Sequence, residues 1–286
     1  MNTDSHNLDA RTRFLMTVHA QHSGLTEHSI GAARTPEGLT SYEAFCAFVD
    51  PRPGMTVVDL ACGNGPLCEI LAARVGAGGR VIGVDLSDAE LKLADERLGG
   101  YSNVQLLKAS ADHVPLSDAS ADLVVCHMAF MLFTPLKRAV NEIARILKSG
   151  GMFAAVIPTL RNPTDLFREC AGVLRSVLAD EKHALGALSG NAVKMNSADD
   201  LLQIFEGDGW RLQEGISTVD IDVSVAAESE ALVDFVAPAF YHYQLLSVEA
   251  RRRVGRLWAE LFQRSRDSDG TTRFCFPLSA FAVQKM

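Results

Sequence analysis

The chain has 286 residues, of which 48% are hydrophobic and 22% charged, a balance typical of a globular protein with a sizeable core. A net charge of −8 argues against a nucleic-acid partner, which a basic surface would bind better. We expect no membrane span and no signal peptide, because the apolar runs are short and residues 1–13 are polar. Six cysteines without a C-x-x-C pair predict a reduced, cytoplasmic protein.

The first 50 residues are predicted to be helical. One helix is predicted to begin at Thr35-Pro36, because proline favours the first helical position, and the Pro-Arg-Pro-Gly segment at 51–54 ends it. His19, His22 and His28 have a spacing that could hold a metal ion. No carboxylate accompanies them at a clear spacing, so we expect no metal site.

Strands and helices alternate from residue 56. Apolar runs predict strands at 56–60, 81–86, 104–107, 123–126 and 152–157, with helices at 66–75, 87–98 and 135–147. Ser87 and Glu90 form an S-x-x-E capping box at the start of the second of these helices. Such alternation predicts a mostly parallel sheet that is covered by helices on both faces.

The pattern changes after Pro158. We predict helices at 165–180, after Ser197 and twice within 228–265, and strands within 210–223 and at 274–283. The chain is thus predicted to form a single domain over residues 1–286. Its parts are an N-terminal helical lid at 1–50, a core at 51–160, and cap helices with the last strands at 161–286.

The most informative segment joins the first two strands of the core. Asp59-Leu-Ala-Cys-Gly63-Asn-Gly65 is a glycine turn between a strand and a helix, and Asp85 ends the next strand. Glycines let a ligand approach the backbone, and a strand-end carboxylate can accept hydrogen bonds from a ribose diol, so the unit is typical of nucleotide binding. Asp59 would repel a pyrophosphate, whereas it suits a cationic ligand that carries an ammonium and a sulfonium.

This turn resembles the first motif of the class I S-adenosylmethionine (SAM)-dependent methyltransferases, D/E-x-G-x-G-x-G. It has the D-x-A-C-G-x-G form found in the ubiquinone/menaquinone-biosynthesis-like (methyltransferase type 11) small-molecule branch, with Ala61 in place of the first glycine. The resemblance implies an α/β, Rossmann-like fold. Its seven-stranded, mostly parallel sheet would have an antiparallel last hairpin, helices on both faces and helical cap segments.

The resemblance also implies SAM as the cofactor, S-adenosylhomocysteine as its product, and a set of binding residues at the strand ends. The implied cofactor-binding residues are Asp59, Ala61, Gly63, Gly65, Asp85, Leu86, Ala111, Asp112 and Cys126. The residues of the turn would line the methionine part of SAM, and Asp85 would bind the ribose with Leu86 packed on adenine. Asp112 would accept from adenine N6, and the backbone carbonyl of Cys126 would take the ammonium.

His127 is the candidate catalytic residue, because it follows the fourth strand, where related small-molecule methyltransferases often have glutamine. It would position the acceptor or act as its general base. A hydrogen-bonded pocket wall without proton transfer is the alternative. Tyr42 and the aromatic residues at 240–243 are candidates for the acceptor pocket, although an ordinary amphipathic helix explains the latter equally well.

The predicted function is transfer of a methyl group to a small, partly apolar or aromatic metabolite, at an O, N or C atom, in specialised-metabolite or quinone-type biosynthesis. One alternative is a SAM-binding protein that transfers no methyl group or assists a cyclisation. An NAD(P)-linked oxidoreductase is less favoured, because G-x-G-x-x-G is absent after the first strand. The expected partner is a small-molecule acceptor, and a homo-oligomer is left open.

Overall fold

The computed structural model describes residues 10–159, 162–181, 195, 198–205, 210–211 and 217–286. The strands are β1 Thr56–Leu60, β2 Arg80–Asp85, β3 Val104–Lys108, β4 Ala121–His127, β5 Leu147–Pro158, β6 Trp210–Arg211, β7 Ser217–Asp220, β8 Val223–Ala227, β9 Thr272–Phe276 and β10 Leu278–Lys285. The helices are α1 Ala10–Gln21, α2 Leu25–Ser29, α3 Ser41–Val49, α4 Pro66–Val75, α5 Asp88–Leu98, α6 Leu136–Ile146, α7 Asp165–Asp180, α8 Ala198–Phe205, α9 Ser229–Val236 and α10 Val248–Arg264. None of the helices in these ranges combines the length and the apolar composition that crossing a membrane requires.

The main sheet has five parallel strands in the order β3–β2–β1–β4–β5. Next to β5 lies the antiparallel strand β10, and β6 and β7 both pair with β10. This confirms the predicted Rossmann-like sheet with its antiparallel hairpin. Because the chain order reverses between β1 and β4, the carboxyl ends of these strands border the crevice in which open α/β sheets bind ligands.

Helices cover both faces of this sheet, as the nearly continuous apolar run in β1 predicts. Val57 belongs to one buried cluster together with Phe45 of α3 and Trp258 of α10. Its neighbour Val58 belongs to a second cluster on the opposite face, which includes Ile143 of α6. Successive strand residues therefore pack into different cores, and the strand ends are held between two helical layers.

The predicted helix start at Thr35-Pro36 is wrong. Residues 35–38 form a turn in which the Gly38 N–H donates to the Thr35 carbonyl at 2.9 Å. The helix α3 begins at Ser41, because Thr40 accepts from the Glu43 N–H at 3.0 Å while the Glu43 carboxylate accepts from the Thr40 N–H at 2.8 Å. This capping box satisfies two backbone donors and defines the helix start better than the proline does.

The predicted last strand at 274–283 is also wrong, because it is two strands separated by Pro277. The strand β9 pairs with β8 in a separate two-stranded sheet, whereas β10 joins the main sheet. Proline has no N–H to donate to a ladder, so it is a natural break between the two. The strand predicted within 210–223 corresponds to β6, β7 and the first residue of β8, and Ile216 lies outside the described residues.

Candidate active site

Two hydrogen bonds fix the glycine turn after β1 to the end of β2, of which one runs from the Cys62 N–H to the Val84 carbonyl at 3.0 Å. The Gly63 N–H donates to Asp85 Oδ2 at 2.9 Å, and Gly63 has a φ of 55°. Ala61 also lies in the left-handed region, with a φ of 62°, at the position where the family motif has its first glycine. The turn thus holds the ends of β1 and β2 side by side.

Asp59 is a buried carboxylate with one unpaired oxygen. Its Oδ2 accepts from Cys68 Sγ at 3.2 Å, whereas its Oδ1 has no hydrogen-bond partner among the described residues. Burial raises the pKa of Asp59 to about 7, because the charged form is desolvated. A carboxylate of this kind is completed by a cation, so the site fits the ammonium group of a ligand such as SAM.

Asp85 offers acceptor atoms at the next strand end. Its Oδ1 accepts from the Ser87 N–H at 2.8 Å, in addition to the bond from Gly63 to Oδ2. Burial raises the pKa of Asp85, and the two backbone hydrogen bonds oppose that shift. Each carboxylate oxygen has a second lone pair, so Asp85 can also accept from the hydroxyl groups of a ribose.

Two adjoining pockets extend from these carboxylates. The first encloses about 850 Å³, including its open mouth, and is lined by Leu86, Ala111 and Asp112, with α1 along one side. The second encloses about 560 Å³ and contains Asp59 and His127. The predicted residues that line one pocket or both are Asp59, Ala61, Gly63, Asp85, Leu86, Ala111, Asp112 and His127.

His127 lies in the second pocket without a charged partner among the described residues. Its Nε2 shares a hydrogen bond of 3.0 Å with Ser41 Oγ, its ring centroid is 4.2 Å from that of Tyr42, and its Nδ1 has no partner among the described residues. Burial lowers the pKa of His127 to about 3. The imidazole is therefore neutral at physiological pH, where it can hydrogen-bond a ligand but is a weak base.

Comparison with known proteins identifies the family. A methyltransferase-domain family model matches residues 58–155. The demethylmenaquinone methyltransferase of Lactobacillus johnsonii is 31% identical over 175 residues, which are 56% of this chain and 69% of the relative. The chain belongs to the class I SAM-dependent methyltransferases of the ubiquinone/menaquinone type. The corresponding enzyme of Desulfitobacterium hafniense is 30% identical over 167 residues, which cover 55% of this chain and 66% of that protein.

The chain spans about two thirds of the length of these curated relatives. Among solved structures, a phosphoethanolamine N-methyltransferase of Haemonchus contortus has a TM-score of 0.58 at 17% identity, over 97% of this chain and 60% of that one. The [4+2]-cyclase SpnF has a TM-score of 0.54 at 16% identity, over 96% of this chain and 92% of that one. At such identities the likeness establishes the fold of the methyltransferase.

Two predicted residues of the methyltransferase lie outside both pockets. Gly65 has a φ of 84°, and a Cβ there would lie 2.8 Å from Leu98 Cδ1, so the glycine is needed where α4 packs on α5. Cys126 has a fully buried side chain within β4. Its predicted contact was through the backbone carbonyl, and that contact stays a prediction.

The sequence reasoning missed two features of this site. Met128, after the end of β4, lines the second pocket with a φ of 59°, and strained backbone of this kind is concentrated at functional sites. Of the two hydrogen bonds in the capping box predicted at Ser87, the structure has one. Ser87 Oγ accepts from the Glu90 N–H, but the Glu90 carboxylate turns away to the N-terminal segment and accepts from the Gly24 N–H at 3.0 Å and from His19 Nδ1 at 2.8 Å.

Proposed function

We propose that this methyltransferase acts on a small, partly apolar or aromatic acceptor, with oxygen, nitrogen or carbon as the attacking atom. The observation that carries the proposal is the pair of adjoining pockets. One is bordered by the carboxylates of Asp85 and Asp112, and the other joins the unpaired oxygen of Asp59 to a wall formed by Tyr42 and His127. Quinone-type or specialised-metabolite biosynthesis is the setting that we propose.

SAM, when bound, supplies an electrophilic methyl group on a positively charged sulfur atom. In our proposal Asp59 accepts from its ammonium group and Asp85 from its ribose hydroxyls. Leu86, Ala111 and Asp112 surround the adenine. The turn residues Ala61, Gly63 and Gly65 keep the backbone close to the ligand, and the carbonyl of Cys126 serves the ammonium as well.

The charges around the pockets favour an acceptor that is neutral or cationic. Among the described residues that line the two pockets there is no lysine or arginine, whereas four acidic residues are present: Asp59, Asp85, Glu90 and Asp112. A phosphate or carboxylate on the acceptor would have no lysine or arginine to pair with on these walls, and it would be repelled by the acidic side chains. This electrostatic bias supports a partly apolar acceptor without an anionic group.

His127 is assigned the positioning of the acceptor. A neutral imidazole held by Ser41 and packed on Tyr42 can fix one polar atom of the acceptor near the methyl donor. Orientation of this kind contributes up to roughly 7–11 kcal/mol to the lowering of barriers in well-aligned model reactions. The N-terminal lid (1–50) and the cap segment (161–286) would exclude water from the core (51–160) during the reaction.

The proposal extends to the cellular setting. A net charge of −8 supports a small-molecule acceptor rather than a nucleic acid, and six free cysteines support a reducing compartment such as the cytoplasm.

The first test is calorimetric titration of the protein with SAM, S-adenosylhomocysteine and NADH. We expect binding of the first two and none of NADH, and NADH binding alone would refute the assignment.

The Asp85→Ala variant should lose roughly 1–3 kcal/mol of SAM binding, because a charge-assisted hydrogen bond is removed. Asp95→Ala, at an exposed position of α5, is the matched control and should bind SAM like the parent.

Methyl transfer is tested next by incubation with SAM and three acceptor probes: 1,4-dihydroxynaphthalene, catechol and a primary amine. A methylated product in proportion to S-adenosylhomocysteine supports the proposed transfer. Tight SAM binding without S-adenosylhomocysteine formation on any acceptor would instead support the alternative of a SAM-binding protein that transfers no methyl group.

A further inference from the structure

Three side chains from distant parts of the chain form a continuous hydrogen-bonded row beside the second pocket. Glu90 of α5 contacts His19 of α1, with Glu90 Oε1 at 2.8 Å from His19 Nδ1. On its other side the imidazole contacts Tyr241 in the helical turn Tyr241–Leu245, with Nε2 at 3.3 Å from the hydroxyl. All three line the second pocket, and His19 lines the first pocket as well.

The partners determine which ring nitrogen carries the proton. An ionised carboxylate can only accept hydrogen bonds, so His19 Nδ1 is the protonated nitrogen facing Glu90. In the neutral ring this leaves Nε2 with a free lone pair, which accepts from the Tyr241 hydroxyl. In the order carboxylate, imidazole, hydroxyl, the carboxylate orients the imidazole and stabilises the positive charge that the ring gains when it acts as a base.

The imidazole of His19 has a carboxylate partner, which the imidazole of His127 lacks among the described residues. The Glu90 side chain is 3% exposed and that of His19 is 23% exposed, so a buried carboxylate supports an imidazole that remains open to the pocket. The imidazole of His127 has a hydroxyl, Ser41 Oγ, as its described hydrogen-bond partner. An imidazolium at position 19 is therefore paired with a negative charge, whereas one at position 127 is not.

We propose that Glu90, His19 and Tyr241 form a proton relay in which His19 is the general base for the acceptor. The inference rests on the proposed methyl transfer and names the acceptor class: a small molecule with an ionisable O–H, such as a phenol or an enol. A free amine is already nucleophilic and has no need of the relay.

The proton and the electrons balance within the site. The acceptor O–H bond breaks and its electron pair stays on the acceptor, while the proton passes to the Tyr241 oxygen as the Tyr241 proton moves to His19 Nε2. The pair left on the acceptor, on its oxygen or on the conjugated carbon, forms the bond to the methyl carbon. The electrons of the carbon–sulfur bond remain on sulfur. The imidazolium then releases its proton to solvent through the exposed side of His19.

The groups that face His19 come from the core and from the cap segment. Glu90 and Asp85 approach it from the β2–α5 segment, and Asp85 is close enough for its own ionisation to be influenced by the His19 charge. From the cap, the imidazole meets the hydroxyl of Tyr241. Burial raises the pKa of Tyr241 to about 12, so its hydroxyl conducts a proton and does not hold a charge at neutral pH.

The relay is tested without turnover by ¹⁵N NMR of the histidine rings in the full-length protein bound to S-adenosylhomocysteine. We expect His19 to show a protonated Nδ1 and an unprotonated Nε2. In Glu90→Gln the preference for this tautomer should weaken, because an amide can donate to Nδ1 as well as accept from it. Glu96→Gln, at an exposed position of α5, is the matched control. A protonated Nε2 in the neutral ring of the parent, or the same tautomer populations in Glu90→Gln as in the parent, would overturn the relay.

The kinetic test uses 1,4-dihydroxynaphthalene as the acceptor probe. His19→Asn and Glu90→Gln should lower kcat by about 10²–10⁴-fold, with the affinity for S-adenosylhomocysteine largely retained and kcat partly recovered at a pH that ionises the naphthol. Tyr241→Phe should lose less, because Nε2 remains. His22→Asn, exposed on the segment after α1, is the control and should resemble the parent.

Two outcomes distinguish failure of the relay from failure of the proposed acceptor class. If the variants lose affinity for S-adenosylhomocysteine while kcat at saturation is unchanged, the row of side chains is a structural latch and the relay is refuted. If the parent methylates none of the probes, the proposed acceptor class fails, and the NMR result still decides whether Glu90 supports His19 as a base.

Discussion

Burial of one carboxylate at the end of β1 gives the methyltransferase a pH-dependent stability. The pKa of Asp59 is raised by burial to about 7 from an ordinary value of 3.8. The folded state therefore binds this proton more tightly than the unfolded chain does. Between these two values the unfolding free energy falls as the pH rises, and the contribution is constant above pH 7.

We predict that Asp59→Asn flattens this part of the pH dependence in the ligand-free protein. The parent should lose a few kcal/mol between pH 4 and pH 7 from Asp59, since each pKa unit corresponds to about 1.4 kcal/mol. The measurement is urea unfolding at a series of pH values. Asp95→Asn, at an exposed position, should keep the slope of the parent, and an unchanged slope in Asp59→Asn would contradict the assignment.

Ala61 carries a backbone cost that a glycine would avoid. An L-residue in the left-handed region costs about 1–2 kcal/mol, and glycine loses about 0.5–1 kcal/mol through its extra freedom in the unfolded chain. We therefore predict that Ala61→Gly raises the unfolding free energy by about 0.5–1 kcal/mol, measured by chemical denaturation.

Ala119 provides the control, since it is exposed, has a φ of 49° and lies outside both pockets. Ala119→Gly should stabilise by a similar amount. If Ala119→Gly stabilises and Ala61→Gly destabilises, the Ala61 methyl group contributes packing at the turn that outweighs the backbone strain.

At the scale of elements, the contact between α4 and α5 depends on Gly65. A Cβ at this position would lie 2.8 Å from Leu98 Cδ1, and the φ of 84° would be strained as well. Gly54 has nearly the same φ, 86°, and a Cβ added there would have no neighbouring atom within 4 Å. The two glycines therefore separate the cost of backbone strain from the cost of crowding.

We predict that Gly65→Ala destabilises the fold more than Gly54→Ala does. Strain alone should cost about 1–2 kcal/mol in Gly54→Ala, and overpacking should add about 1–3 kcal/mol in Gly65→Ala. Thermal and urea unfolding of both variants measure the difference. Equal losses would mean that Leu98 moves aside freely and that α5 is not held by this contact.

The bounds of a helix or strand could be predicted from the sequence where a single local pattern marked them and no second pattern nearby suggested other bounds. The bounds of β1 and α4 agree with the sequence prediction, because an apolar run ends in a glycine turn and Pro66 occupies the first helical position. The predicted start of α3 was wrong. Both Thr35-Pro36 and Thr40 are possible helix starts in the sequence, and the hydrogen bonds of the Glu43 side chain decide for Thr40. At Pro277 an uninterrupted apolar pattern concealed a change of sheet.

At the scale of the whole molecule, the sequence predicted the turn and Asp85, which are close in the chain, but not the contacts that cross it. His19 and Glu90 are 71 residues apart, and His19 and Tyr241 are 222 residues apart. The S-x-x-E pattern already explained Glu90 as a capping residue, so nothing in the sequence indicated that its carboxylate binds the imidazole of His19 in α1. Long-range partners of this kind follow from how α1 meets α5 and the helical turn Tyr241–Leu245.

The helix α1 has few fully buried side chains. Of the α1 side chains whose burial the structure describes, Val18 alone is buried. Beyond the end of α1, the Gly24 N–H is bound by Glu90, and Glu27 forms an ion pair with Arg97 at 2.8 Å. An element with so little buried apolar surface opens at a lower free energy than the strands of the core do.

Ligand binding should therefore protect α1 more than the rest of the protein. Leu15 and Met16 of α1 line the first pocket, so a bound nucleoside would contact them. If α1 must open for the ligand to leave, a concentration of 100 times Kd stabilises the closed state by about 2.7 kcal/mol. Exchange of the α1 amides should then slow by about 100-fold in hydrogen–deuterium exchange with S-adenosylhomocysteine.

The amides of α10, which contributes no residue to the described walls of either pocket, are the internal control. Equal slowing in α1 and α10, or none in α1, would show that the ligand enters and leaves without opening of the lid.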